Sequence, residues 1–203
     1  MSPEQLKTNI AKMTVVWSAC SFSSYLLNFM NKYLEGSIFE NNYAEGLAGG
    51  LATIVGASLY SRVGMKQSLL ISFGFSLLGG ALVCVLEGKA VELPHSYLNE
   101  FENLGDHMTD KKLTTLALNY LVPKLIFIAK FGIQLATLST YTASFSDDNI
   151  FPADRRATAI GQCQIVARGL TILSPEVTEL PKPQPMIIYC VLVSLALGVS
   201  LSF

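Results

Sequence analysis

Arg168 stands inside the apolar run "RRATAIGQCQIVARGLTILSP" (155–175), and Lys124 and Lys130 stand inside a second apolar stretch. A cation among apolar side chains costs free energy unless something offsets it, so such a residue is by default a pointer to function. The chemistry it offers is attraction of an anion. The alternative is a structural charge paired with an acid or a lipid phosphate of a neighbour, and both readings stay open for Arg168, Lys124 and Lys130. Lysine side chains escape to the membrane surface only near helix ends, and Lys130 lies deep in its segment. No Ser-His-Asp arrangement, phosphate-cradling glycine loop or metal-ligand cluster is present, so neither an enzyme nor a cofactor is expected. His95 and His107 fall in a polar stretch with no other ligand types at metal spacing. Cys20, Cys84, Cys163 and Cys190 all lie in apolar segments without a C-x-x-C pair and read as packing residues.

The elements that must position these residues are membrane helices. Only 14% of the 203 residues are charged, 51% are hydrophobic and the mean hydropathy is +0.43. Soluble domains carry roughly 25% charged residues. A net charge of −1 gives no footprint for nucleic acid. The N-terminus "MSPEQLKTNIAKM" is too polar for a secretory signal, and with Glu4 and no arginine it makes a poor transit peptide. A span needs about 20 mostly apolar residues, which predicts six helices, at about 12–33, 43–61, 67–87, 114–145, 156–175 and 185–203. They form a single all-α, polytopic bundle covering 1–203. The second helix is rich in small residues, Gly46, Gly49, Gly50 and Gly56, which let backbones approach closely in lipid. The polar loop 88–113 holds Tyr97, Leu98, Phe101 and Leu104 at helical spacing, which fits a surface helix as well as a plain connector. Six spans place Lys7, Lys12, Arg62, Lys66, Arg155 and Arg156 on one side, against Lys89, Lys111, Lys112 and Lys182 with Lys32 nearby on the other. The first side is then the cytoplasmic or equivalent one.

Two loops on that first side carry a resemblance. "LYSRVGMKQSLL" resembles the major facilitator superfamily pattern G-x-x-x-D/E-R-x-G-R-R, with Arg62 and Gly64 matching and Lys66 keeping the positive charge. "KFGIQLATLSTYTASFSDDNIFPADRRATAIG" resembles the organic cation and anion transporter branch. Lys130, Phe131, Tyr141, Thr142, Ala143, Pro152, Arg156, Thr158, Ala159 and Gly161 fit that branch's K-F…Y-T-A…P…R-x-T-A-x-G pattern. "SPEVTELPKPQPMIIY" looks like the connection between the branch's last two helices. The resemblance covers essentially the whole chain but half of the family's fold, the second of its two six-helix bundles. It implies that the position of Arg168 faces a substrate cavity, with Lys130, Gln164 and Tyr141 as further lining residues. It also implies a gating role at the surface for Arg62, Gly64, Lys66, Arg155 and Arg156. Two latch acids of the pattern are missing. Ser61 stands at the first position, and Ser144 or Asn149 at the second, with Asp147, Asp148 or Asp154 as shifted substitutes. The sequence shows no cavity-facing acid for proton coupling.

These features lead to two expectations of function. The first is a non-catalytic accessory subunit of a larger membrane complex, descended from half a carrier, with other membrane subunits and lipids as partners. A mitochondrial inner-membrane respiratory or ATP synthase complex is the favoured setting. The second is a solute carrier for small organic anions or zwitterions, in the plasma membrane for instance, working as a dimer or with a separate first half, since alternating access rocks one repeat against another.

Overall fold

The computed structural model describes the backbone of residues 2–33, 38–91 and 108–203, with the side chains of 87–91 and 108–120 left aside. The histidines and the 97–104 stretch fall outside the described residues. Six helices follow in order: α1 (Pro3–Met30), α2 (Ile38–Val91), α3 (Met108–Ser146), α4 (Arg156–Thr171), α5 (Ser174–Thr178) and α6 (Gln184–Leu201). No strand occurs among the described residues. Among the described residues three helical stretches are long and apolar enough to cross a membrane: Ile38–Leu86, Leu121–Ser146 and Gln184–Leu201.

Helix α1 begins at Pro3, well before the expected start near 12. The reason is local: Ser2 Oγ accepts from the Gln5 amide at 3.2 Å, Gln5 Oε1 accepts from the Ser2 amide at 3.0 Å, and Pro3 follows the cap. This reciprocal cap is legible in "SPEQ", while apolar length alone overlooks it.

Helix α2 is broken once, at Gly64, whose φ of 75° and ψ of −179° are not helical. Gly64 is the one residue with positive φ among those described, a conformation that costs glycine nothing. The contacts on α3 give the direction of each half. In the first half (38–63), Glu45 meets Lys130, while Gly56 meets Leu135 and Leu138, so this half runs with α3. In the second half (65–91), Ser68 meets Ser139 and Gly79 meets Ala129, so it runs against α3. The chain therefore reverses at Gly64, and α2 is a hairpin lying on α3, in place of two helices separated by a loop at 62–66.

The other helices are ordered by their contacts in the same way. Trp17 meets Tyr141 and Asn28 meets Lys130, so α1 opposes α3. Thr14 Oγ1 donates to Cys163 Sγ at 3.3 Å and Arg168 reaches Tyr25, so α4 runs with α1. Lys66 meets Leu201 and Ser76 meets Tyr189, so α6 opposes the second half of α2. Successive segments alternate in direction, and the start of α1 and the end of α6 lie at the end of the bundle that holds the Gly64 turn.

Close backbone approach holds the centre. A Cβ on Gly79 would stand 2.5 Å from the Ala129 nitrogen, one on Gly132 would stand 2.6 Å from the Ser72 carbonyl oxygen, and one on Gly80 would stand 2.5 Å from the Tyr189 ring. Glycines at such crossings maximise dispersion contact between helices. The main core is built on Leu26, Leu27, Phe73, Ile126, Ile133 and Tyr189. A smaller cluster joins α1 to α4 through Met13, Trp17, Phe151 and Cys163. Cys20 and Cys163 are buried, Cys84 and Cys190 half-buried, and all four are free thiols.

The expected helix 156–175 ends earlier, at Thr171. Thr171 Oγ1 donates to the Arg168 carbonyl at 2.7 Å and Ser174 Oγ to the Thr171 carbonyl at 2.8 Å. Leu173 N bonds the Leu170 carbonyl at 3.1 Å, tightening the last turn. Serine and threonine hydroxyls that bond nearby carbonyls compete with the helix ladder, and Pro175 then opens α5. Arg168 therefore sits in the last turn of α4, and not in the middle of a span.

Candidate functional site: an open trough and a buried ion pair

Helix α1 lies between α3 and α4, which meet each other only slightly. The result is a trough with α1 as floor. Arg168 Nη1 donates to Tyr25 Oη at 2.9 Å, and its guanidinium stands 6.0 Å from the centre of the Tyr25 ring. One turn back on α4, Gln164 Nε2 donates to Tyr141 Oη at 3.5 Å. The Tyr141 ring meets Trp17 edge to face, 4.3 Å between centroids. Spacing explains the set: Gln164 and Arg168 are four apart and share one face of α4. Arg168, Tyr25 and Tyr141 are exposed, Gln164 half-exposed and Trp17 buried. Three of the four expected lining residues, Arg168, Gln164 and Tyr141, thus come together.

Lys130 does not join them. It is buried, and its ammonium forms an ion pair with Glu45 of the first half of α2. Asn28 Oδ1 also accepts from it, as do Ser24 O at 3.3 Å and Ser24 Oγ at 3.4 Å. The second Glu45 oxygen takes the Asn31 amide, which also bonds Asn42 Oδ1 at 3.2 Å. The two side chains of the pair are 8% and 12% exposed, so little water screens it. A charge pair this far from water is held by the hydrogen bonds that satisfy its remaining atoms, and here asparagines and a serine from α1 and α2 supply them. Glu45 is a buried acid that the sequence reading did not single out. The second helix starts at Ile38 and not near 43, which moves Glu45 from a helix end, where an acid draws no notice, into the packed face. The available signal was arithmetic, since Lys130 needed a counter-ion and Glu45 is the lone acid between Glu40 and Glu87.

The residues expected at the gate all lie at the end of the bundle with the Gly64 turn. Arg156 donates to the Phe145 carbonyl at 2.7 Å and the Phe151 carbonyl at 3.2 Å, and ion-pairs with Asp148. Of Asp147, Asp148 and Asp154, it is Asp148 that meets Arg156. Arg155 makes only an exposed 3.5 Å pair with Asp154. Lys66 does not seek an acid at Ser61. Its ammonium caps the Leu201 carbonyl at 2.7 Å, and Lys12 caps the Ser202 carbonyl at 2.6 Å. Two cations at the C-terminal end of α6 complement its dipole. Arg62 is exposed.

One apolar groove of about 520 Å³ opens between α2 and α6, lined by Ala81, Cys84, Val85, Ile187, Cys190 and Val191 among others. No grouping of three or more His, Cys, Asp or Glu side chains that could hold a metal occurs among the described residues. No protein-family model matches the chain, and no curated protein matches it.

Proposed function

We propose that this chain is a non-catalytic, six-span subunit of a larger membrane assembly, and that the trough over α1 is covered there by a neighbouring helix bundle. The observation that carries the reading is the row of exposed Tyr25, Arg168 and Tyr141 with half-exposed Gln164, formed on helices packed among apolar ones. Such groups are poor partners for acyl chains and abut protein or water in a bilayer. Among the described residues Arg168 has a tyrosine hydroxyl and ring, but no ion pair, within the chain. The six alternating segments support six crossings, although α4, with 16 residues, is about 24 Å long and shorter than a hydrocarbon core of about 30 Å.

The test is the native size of the chain after mild detergent extraction, with mass spectrometry of what co-migrates. Migration in a large complex of fixed composition, a respiratory or ATP synthase complex being the favoured one, is the expected result. Migration as a monomer would sink the reading. A second reading, a carrier of small organic anions, draws on the same trough, with Arg168 as the anion-attracting group and Gln164 and Tyr141 as lining. It requires uptake of an organic anion into vesicles that Arg168→Ala abolishes.

A further inference from the structure

The two halves of α2 are held in different ways. The second half packs on two neighbours, α3 and α6, with buried residues on more than one face. The first half presents a narrow buried line, Asn41, Ala48, Ala52 and Gly56, while Phe39, Tyr43, Leu47 and Ile54 are strongly exposed. Its buried residues are small, and the three atoms nearest to a Cβ on Gly56 would be side-chain atoms of Leu135 and Leu138, at 3.1–3.5 Å, with no backbone among them. At one end it meets the Gly64 break, where one residue carries the whole change of direction. Toward the other end stands the Glu45–Lys130 pair, with Asn42 tied to Asn31 beside it. A helix with a single pivot, a smooth contact line and one strong polar anchor has the features of an element with two positions.

We propose that the first half of α2 is the moving element of this protein. It tilts about Gly64 and is held shut against α1 and α3 by the Glu45–Lys130 ion pair. The ion pair is the charged contact of this half with α3, and Ala48, Ala52 and Gly56 of its buried line carry no polar side chain. The pair stands beside Ser24 and Asn28, which flank Tyr25 on α1, so opening changes the polar lining next to the trough. This inference does not depend on whether a partner bundle or a solute occupies the trough.

The experiment is a distance measurement between spin labels in the full chain in lipid nanodiscs, with native cysteines replaced. The labels stand at Leu47 on the moving half and at Ile165 on α4, both exposed and outside the polar cluster. Wild type should show one dominant distance. Glu45→Gln should deplete that population about tenfold, because it leaves a buried ammonium without its counter-charge. Asn31→Ala, which removes only hydrogen bonds to Glu45 and Asn42, should deplete it less and reads the same anchor if Glu45→Gln does not fold. The reversed pair, Glu45→Lys with Lys130→Glu, should refill it. Unchanged distances in Glu45→Gln, or in Asn31→Ala where Glu45→Gln does not fold, would overturn the proposal. So would a depletion that the reversed pair fails to repair, since packing and not charge would then be the holding force.

Discussion

The two halves of α2 lie on the same helix, α3, yet use opposite means. The second half uses shape: Gly79 and Gly132 bring backbones together, Tyr189 of α6 covers Gly80, and the Tyr189 hydroxyl shares a 2.6 Å bond with Ser76 Oγ. The first half uses charge, a single ion pair completed by asparagines. Shape contacts are short-ranged and numerous, so they fix one arrangement. A charge pair among small residues fixes an end and leaves the rest of the contact smooth. The rigid wall of the bundle and its adjustable wall are thus made from one continuous stretch of sequence.

Several substitutions would break or sharpen this contrast. The largest effect is expected for Lys130→Met alone, which strands Glu45 away from water and should cost about 3–5 kcal/mol. Adding Glu45→Leu should recover most of that loss, measured as detergent-resistance or thermal melting of the purified protein. If both the single and the double variant melt like wild type, the pair is not the anchor of the first half. Gly132→Ala comes next, at about 1–3 kcal/mol or more, because a Cβ there meets the Ser72 carbonyl and the Ser76 amide, which are backbone and cannot step aside. The matching change in the first half, Gly56→Ala, meets leucine side chains, a Leu138 methyl nearest at 3.1 Å, and should cost less than about 1 kcal/mol. Equal costs at the two glycines would erase the distinction between the walls. Tyr189→Phe removes the hydroxyl's bonds to Ser76 Oγ and to the Ala129 carbonyl from the rigid wall and should cost about 1–2 kcal/mol. Arg168→Ala should change stability by less than about 0.5 kcal/mol, since the side chain is exposed. In the subunit reading it should nonetheless weaken co-migration with the large complex, and unaltered co-migration would remove Arg168 from the interface.

How much of this was legible can be judged residue by residue. The segments 67–87 and 185–203 differ little from the observed helices because apolar length is a local property. "SPEQ" also encodes the start of α1, through caps that length alone ignores. Arg168, Gln164 and Tyr141 could be named because the transporter-like resemblance pointed to them. The family relationship itself stays a resemblance. Tyr25, the partner of Arg168, was not legible, since nothing in α1 marks which of its turns meets α4.

The sequence by itself determined that the chain is helical and apolar, where most helices lie, and which few cations sit among apolar residues. Tertiary structure alone decided that both halves of α2 lie on α3, that Arg168 meets Tyr25, and that Lys130 turns from the trough to Glu45. The physical reason is range. Hydropathy, caps and turns act over a few residues, whereas the choice of counter-ion for a buried lysine depends on which distant segment reaches it with an acid and with hydrogen bonds to complete the pair.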